Sequence, residues 1–322
     1  MSRTRWIAAV AAVASLLGPL VALAQNYPTR PVRVVIVFPP GGSNDVVGRL
    51  VFHKMTEQLG QQFVIENRGG AAGSIGAAYV AMQPGDGYTL MVQSATHIAN
   101  AHLYKKLPYD TLGDFIGITT LARQVGILVV HPSLPVRTVK DFIALAKQRP
   151  GEVVYSSAGS GSYVHLAGAL FWSSAGIKLI HVPYKGGGPS TTALVSGESQ
   201  STIATIGSVF GHLKSGRVKP LGVTSDKRTT QFPNVPAIAE FLPGFEFTAW
   251  VGAFAPKGTP KPIVDKLNAE LRKALSDPGI ASKLTAQTLD PMPMTPEEFA
   301  ARLKSDYDKY AKVVRISGAR ID

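Results

Sequence analysis

The chain has 322 residues, no cysteine, and 33 Lys and Arg against 21 Asp and Glu, a formal charge of +12. The missing thiols exclude disulfides, cysteine-ligated zinc and a lipoprotein anchor, so the fold rests on its core alone. The length suggests two domains, and the basic balance favours an acidic partner; scattered charges, with no run of five Lys or Arg interleaved with aromatics, argue against nucleic acid.

Arg3 and Arg5 precede an uncharged stretch from Trp6 to Ala24, broken at Gly18-Pro19 and ending in Ala22-Leu23-Ala24. A basic start, an apolar middle and a small-residue end read as a secretory signal peptide over 1–24, cleaved after Ala24. Its loss removes two arginines and lowers the charge to +10. No later stretch reaches the ~18 continuous apolar residues of a spanning helix. A soluble, exported protein is expected.

Beyond the leader, short β-rich runs alternate with helical ones. Val32–Phe38 reads as a strand. Asp45–Leu59 reads as a helix with Val46, Val47, Leu50, Val51, Met55 and Leu59 on one face. Gln62–Glu66 and Thr89–Gln93 read as strands, separated by a small-residue helix over Gly73–Met82. A helical turn near Ile98–Leu103 precedes β-rich runs at Ile116–Ala122 and Gly126–Val130. Thr138 caps a helix to Gln148, with Asp141 three residues on. Then come strands at Glu152–Ser156, Lys178–Val182, Ser201–Thr205 and Pro220–Thr224, with helices at Tyr163–Ala175, Pro189–Ser196 and Gly207–Ser215 between them. A strand near Phe247–Ala255 is followed by the two longest helices, Pro262–Ser276 and Pro296–Ser317.

Such alternation implies an α/β fold with mostly parallel sheets flanked by helices. Apolar runs near Leu121–Val130 and Phe247–Ala255 offer two crossing points between lobes. The expectation is a two-lobed, clam-shell architecture: lobe 1 over 25–127 and 249–322, lobe 2 over 128–248, with ligand in the cleft between them.

In open α/β sheets ligands sit at the carboxyl ends of strands. Five Gly- and Ser-rich junctions fall there: Pro39–Asp45, Asn67–Gly76, Gln93–Asn100, Ser156–His165 and Tyr184–Ser190. The first stops a strand with two prolines, gives backbone freedom at Gly41-Gly42, and offers Ser43, Asn44 or Asp45 as a cap. A helix start with free N–H groups is a ready anion site. Lys185 adds a point charge or lies solvated on the surface.

Catalytic signatures are missing. The chain holds no G-x-S-x-G elbow, Walker loop, H-E-x-x-H or dinucleotide fingerprint. No two of its seven histidines stand at i,i+4, so no metal site is expected. His165 near Ser156–Ser162 permits a Ser-His pair, but serine and histidine so close in sequence usually mark a capped helix start. No cofactor is implied.

The ordered set Tyr27-Pro28-Thr29-Arg30-Pro31-Val32, Val37-Phe38-Pro39-Pro40-Gly41-Gly42-Ser43-Asn44-Asp45, Glu66–Gly76, Asp86–Leu90, Tyr109-Asp110, His181–Gly186, Val223-Thr224-Ser225 with Arg228, Phe254–Pro260 and Thr295–Phe299 resembles the Bug family. These are the Bordetella-uptake-gene-type substrate-binding proteins of tripartite tricarboxylate transporters. The resemblance covers nearly the whole chain after the leader. It implies a two-lobed periplasmic-binding fold that closes on a carboxylate: a mono-, di- or tricarboxylate, an acidic amino acid or an aromatic acid. By position, the ligand contacts would be Pro40, Gly41, Ser43 and Asp45 in the first loop, Ser74 in the second, and Ser94 and Thr96 in the third. The other lobe would offer Ser157, Gly159, Ser160, Ser162 and His165, then Tyr184 and Lys185. Ala204–Ser208 lacks the aspartate often found there, which weakens the case for an amino acid.

The resemblance implies a non-enzymatic monomer that delivers its ligand to membrane permease subunits. A sensor subunit presenting ligand to a receptor is the alternative, and a periplasmic carboxylate enzyme is a third reading. A neighbouring permease or sensor gene would separate the first two.

Overall fold

The structure, a computed structural model, describes residues 27–184 and 186–320. The leader expected over 1–24 and the candidate Lys185 lie outside the described residues. Strands and helices alternate through most of the chain: β1 (Val32–Ile36), α1 (Ser43–Leu59), β2 (Phe63–Asn67), α2 (Ser74–Ala81), β3 (Thr89–Ser94), α3 (Thr96–Leu103), β4 (Phe115–Gln124) and β5 (Gly126–Val130). Next come α4 (Val139–Gln148), β6 (Val154–Ser157), α5 (Tyr163–Ala175), β7 (Ile180–Pro183), α6 (Gly187–Ser196), β8 (Ser201–Thr205), α7 (Ile206–Lys214) and β9 (Lys219–Val223). The last are β10 (Ala249–Pro256), α8 (Lys261–Leu275), α9 (Pro278–Ala286), β11 (Leu289–Pro291) and α10 (Pro296–Ser317).

Two mixed sheets result. The first has the order β11-β4-β10-β3-β1-β2, the second β7-β6-β8-β5-β9. In the first, β2, β1 and β3 pair in parallel, whereas β10 runs antiparallel between β3 and β4, and β11 antiparallel to β4. In the second, β7, β6 and β8 are parallel and β5 is antiparallel to both neighbours. Of the antiparallel members, β10 and β5 are strands entering a sheet from the other lobe. The chain leaves the first sheet at Gln124, enters the second at Gly126, and returns through Ala249.

Strand alternation sorts the core into three layers. Val32, Val34, Ile36, Leu90 and Val92 bury against α1 and α8. Ile127, Val129, Ala204 and Val223 bury beneath α6 and α7 on the second sheet. The remaining faces share one cluster, which runs from Val35, Met91 and Ile98 through Leu166, Phe171 and Phe247 to Tyr310, Val313 and Val314. This shared layer joins the lobes, and α10 lies at its centre, packed against both α3 and α5. It is pinned there by charge: Lys309 Nζ donates to Glu246 Oε2 at 2.8 Å. Trp250 Nε1 and Arg302 Nε both donate to Asp306 Oδ2 at 2.8 Å.

One expectation changes in detail. No side chain caps α1: its N-cap is Gly42. The Asp45 carboxylate instead accepts from Gly41 N–H, four residues back, at 2.9 Å. The capping box at Thr138 and Asp141 forms as read. The turn at Gly85 docks flush on the segment that opens α8. A Cβ there would overlap the Lys257 carbonyl and come within 2.7 Å of the Gly258 carbonyl carbon and the Thr259 nitrogen. These are backbone atoms with no rotamer to change. Gly85→Ala should therefore cost about 1–3 kcal/mol, the range for overpacking, read as a lower urea midpoint at unchanged slope.

Candidate functional site

A cavity of about 450 Å³ lies where the two sheets face each other. The first lobe supplies Phe38, Pro39, Pro40, Gly42, Ser43 and Asn44 from the β1–α1 junction, and Ser94, Ala95, Thr96 and Ala99 from the β3–α3 junction. The second supplies Gly161, Tyr163 and Leu166 at the start of α5. The crossing strands add Gln124, Ala249 and Val251, and α10 adds Tyr310. Among the described residues no charged side chain lines this space.

What the lining offers an anion is backbone and dipole. Helix α1 has no side-chain cap, and neither does α3, whose N-cap is Ala95. Val46 N–H is the first in α1 to return a bond, to Gly42 O at 3.0 Å. Ser43 and Asn44 stand ahead of it with backbone N–H groups that have no hydrogen bond among the described residues. Unpaired donors at the positive end of a helix dipole favour a carboxylate. Hydroxyls and amides surround them. Ser94 Oγ donates to Thr96 Oγ1 at 3.0 Å, and Gln124 Nε2 donates to Ser43 Oγ at 3.3 Å. Asn44 Oδ1 is buried without a partner among the described residues.

Several expected residues support the cavity without lining it. Asp45 is 4% exposed and is spent on holding the first loop. Its carboxylate accepts from Gly41 N–H, from Arg49 Nε at 2.9 Å and from Asn67 Nδ2 at 2.9 Å. Burial alone would raise its pKa; the bonds from Arg49, Gly41 and Asn67 outweigh burial and hold it below the usual carboxylate range. Ser74 is buried at the start of α2. Gly41 lies beside Gly42 but off the wall.

Second-lobe candidates behave alike. Ser157 Oγ sits 2.7 Å from His181 Nε2 and accepts from Gly159 N–H at 3.2 Å. That serine is fully buried away from the cavity, so the Ser-His proximity is a loop staple and not a nucleophile in reach of ligand. Ser160 is exposed. Ser162 caps α5 by accepting from His165 N–H. Tyr184 donates to Glu198 Oε1 at 2.7 Å. Among the described residues, Pro40, Ser43, Ser94 and Thr96 are the expected ones that reach the wall.

His165 Nδ1 accepts from Gly161 N–H at 3.1 Å. Its ring stacks on His181 with centroids 4.1 Å apart and 3° between planes. Burial, then the neighbouring imidazole, lowers its pKa from 6.5 to about 4, and burial lowers that of His181 as well. A depressed histidine pKa means that the unfolded chain takes up a proton first. The associated stability is complete above pH 6.5 and is lost as pH falls toward 4. At about 1.4 kcal/mol per unit, His165 should remove about 3 kcal/mol of unfolding free energy between pH 7 and pH 4. Urea titrations at both values read the loss, and His165→Gln should reduce it by about that amount, leaving the part due to buried His97, whose pKa is likewise lowered to about 4.

Sequence reasoning missed Gln124, Tyr163, Ala249, Val251 and Tyr310, because it searched the loops after strands. These residues sit inside strands and helices. Tyr163 is fixed by donating to Phe247 O at 2.8 Å, so it turns a ring to the cavity. Tyr310 is 4% exposed, and burial, then nearby Asp306, pushes its phenol well above the ordinary pKa.

Comparison with known proteins agrees with this geometry. The family model described as "Tripartite tricarboxylate transporter family receptor" matches residues 47–318. Protein BugT of Bordetella pertussis is 34% identical over 327 residues, covering 100% of both chains. Among solved structures, Rpa4515 of R. palustris with adipate is 36% identical with a TM-score of 0.78, over 92% of this chain and 100% of that one. MatC from Rhodopseudomonas palustris with bound malate is 33% identical with a TM-score of 0.74, over 89% and 100%. The fold is the two-lobed one of periplasmic binding proteins, not of enzymes, and the chain belongs to the receptor family of the tripartite tricarboxylate transporters.

Proposed function

We propose that this protein captures a small carboxylate outside the cytoplasm and delivers it to the membrane permease subunits of a tripartite transporter. One observation carries the reading: the inter-lobe cavity is walled by the starts of α1, α3 and α5 and, among the described residues, by no charged side chain. Such a site holds an anion by N–H groups and hydroxyls, and releases it without breaking an ion pair. The adipate and malate bound by the two related structures belong to the same chemical class.

In this reading the ligand contacts are Pro40, Gly42, Ser43, Asn44, Ser94, Thr96, Gln124, Gly161, Tyr163 and Tyr310. Asp45, Ser157, Ser162 and His165 act by holding the loops in shape. The lobes divide as 25–127 with 249–322, and 128–248, and close by rotation about the two crossings. Export proceeds with cleavage after Ala24, and the mature protein acts as a monomer. No described helix is long and apolar enough to cross a membrane.

A thermal-shift screen tests capture. Ligand at a hundredfold its dissociation constant adds about 2.7 kcal/mol, a rise of a few degrees for a chain of this size. A rise confined to carboxylates supports the reading. No rise with any acid, in protein stripped of co-purified ligand by unfolding and refolding, would reject it.

A further inference from the structure

Among the described residues, four strands form the edges of the two sheets: β2 and β11 in the first, β7 and β9 in the second. Three of them carry a proline: Pro291 in β11, Pro183 in β7 and Pro220 in β9. A proline has no N–H to offer and blunts an edge against further pairing. The fourth, β2, reads Phe63-Val64-Ile65-Glu66-Asn67 and has none. Its ladder to β1 includes Val32 N–H to Gln62 O at 2.8 Å and Arg68 N–H to Ile36 O at 2.9 Å. Backbone groups alternate along a strand, so Gln62, Val64, Glu66 and Arg68 turn theirs to β1, whereas Phe63, Ile65 and Asn67 turn theirs outward. Thr56 Oγ1 accepts from the Phe63 N–H at 3.1 Å. The N–H and C=O of Ile65 have no hydrogen bond among the described residues.

This open edge borders a groove of about 370 Å³ between β2, α1 and α9. Leu50, Phe63 and Ile65 line it with apolar surface, and exposed Arg49, His53 and Lys283 make it basic. Among the described residues no acid lines it. Arg49 spends Nε on Asp45 and Nη2 on Asn67. His53 lies 3.4 Å from Glu57, which Lys54 also holds at 3.3 Å. Lys283 makes no ion pair among the described residues. Glu66 faces the opposite side of β2, where Arg33 and Arg68 hold it. A second copy of this chain would bring the same cations to the same edge, and like charges set opposite each other oppose strand pairing. Residues 1–26 hold two arginines and no acid, so they match the groove no better.

We infer that β2 is a docking edge for an extended, acidic segment of another protein, which adds to the first sheet as a further strand. Main-chain bonds to Ile65 supply the pairing, and the groove selects the side chains. Every second side chain of the added strand points into the groove. Acids at those positions meet Lys283, His53 and Arg49.

The test is fluorescence anisotropy of the exported protein with a short, labelled, end-blocked peptide of alternating valine and glutamate. That peptide should bind, and the same peptide with lysine for glutamate should bind about tenfold more weakly. Methylating every backbone nitrogen keeps the charge and removes the donors, and should also cost about tenfold. Lys283 is exposed on α9, so Lys283→Glu should fold; it should weaken the acidic peptide about fivefold. Silence from the acidic peptide at about 1 mM overturns the inference, and so does equal binding of the lysine peptide. Binding undiminished by N-methylation, or by Lys283→Glu, overturns it as well, because the peptide then sits elsewhere, the inter-lobe cavity included. Each of these failures leaves carboxylate capture standing.

Discussion

Ser43→Asp is expected to abolish carboxylate binding while the fold stays intact. Ser43 is the first residue of α1 and lines the cavity. An acid in the first turn of a helix favours the fold by about 0.3–1 kcal/mol, so the melting temperature should hold or rise. The same charge meets the incoming carboxylate. Two like charges about 4 Å apart at an effective dielectric near 20 repel by about 4 kcal/mol, about a thousandfold in affinity. Ser43→Ala loses one hydroxyl and should cost only about 1 kcal/mol. Titration of both variants with the tightest acid of the screen separates charge from hydrogen bonding. Binding of Ser43→Asp within tenfold of the parent would show that the carboxylate seats elsewhere.

Asp306→Ala should be the most damaging substitution between the lobes. Asp306 is 3% exposed and accepts from both Trp250 Nε1 and Arg302 Nε. Among the described residues, alanine leaves the fully buried indole N–H without an acceptor and Arg302 with Glu246, 3.8 Å away. Breaking one side of a buried pair costs about 3–5 kcal/mol. Urea unfolding followed by tryptophan fluorescence reads it. Asp306→Asn keeps an acceptor for one donor and should lose less than half as much. Binding should weaken too, because Tyr310 stands one helical turn further along α10. A loss below about 1 kcal/mol would mean that the helix is held by its apolar face alone.

Much of this architecture is legible in the chain because local signals and tertiary demands agree. Tyr163–Ala175, Ser201–Thr205 and Pro296–Ser317 are found with the bounds that their patterns predict. The helix after Thr138 starts where its capping box says. Two elements escaped. Helix α9 is nine residues long, too short for its periodicity to stand out; Asp277-Pro278, a cap followed by a proline at the first turn, is the signal that could have found it. Strand β11 has three residues and exists only because β4 offers an edge.

The site divides the same way. Ser43, Ser94 and Thr96 were legible because a Gly- or Ser-rich turn between strand and helix is a local feature. Tyr310 and Val251 were not. Nothing near them in sequence distinguishes a core tyrosine from one on a cavity wall, and only the packing of α10 across α3 and α5 makes the difference. The Ser157–Ser162 loop misled in the opposite direction. Its polar atoms bond one another and His165 and His181, so polar density in sequence became self-satisfaction in space.

The central place of β10 in the first sheet also sets a timetable. Its partners β3 and β4 end at Ser94 and Gln124, yet the strand between them is Ala249–Pro256. Synthesis from the N-terminus therefore leaves this sheet divided until the whole second sheet has been made. At ~5–20 residues per second, the wait after β3 is roughly 8–30 s. The last helix, which ties the lobes, comes later still. Until β10 is made, the half-made product has no closed first sheet to resist unravelling.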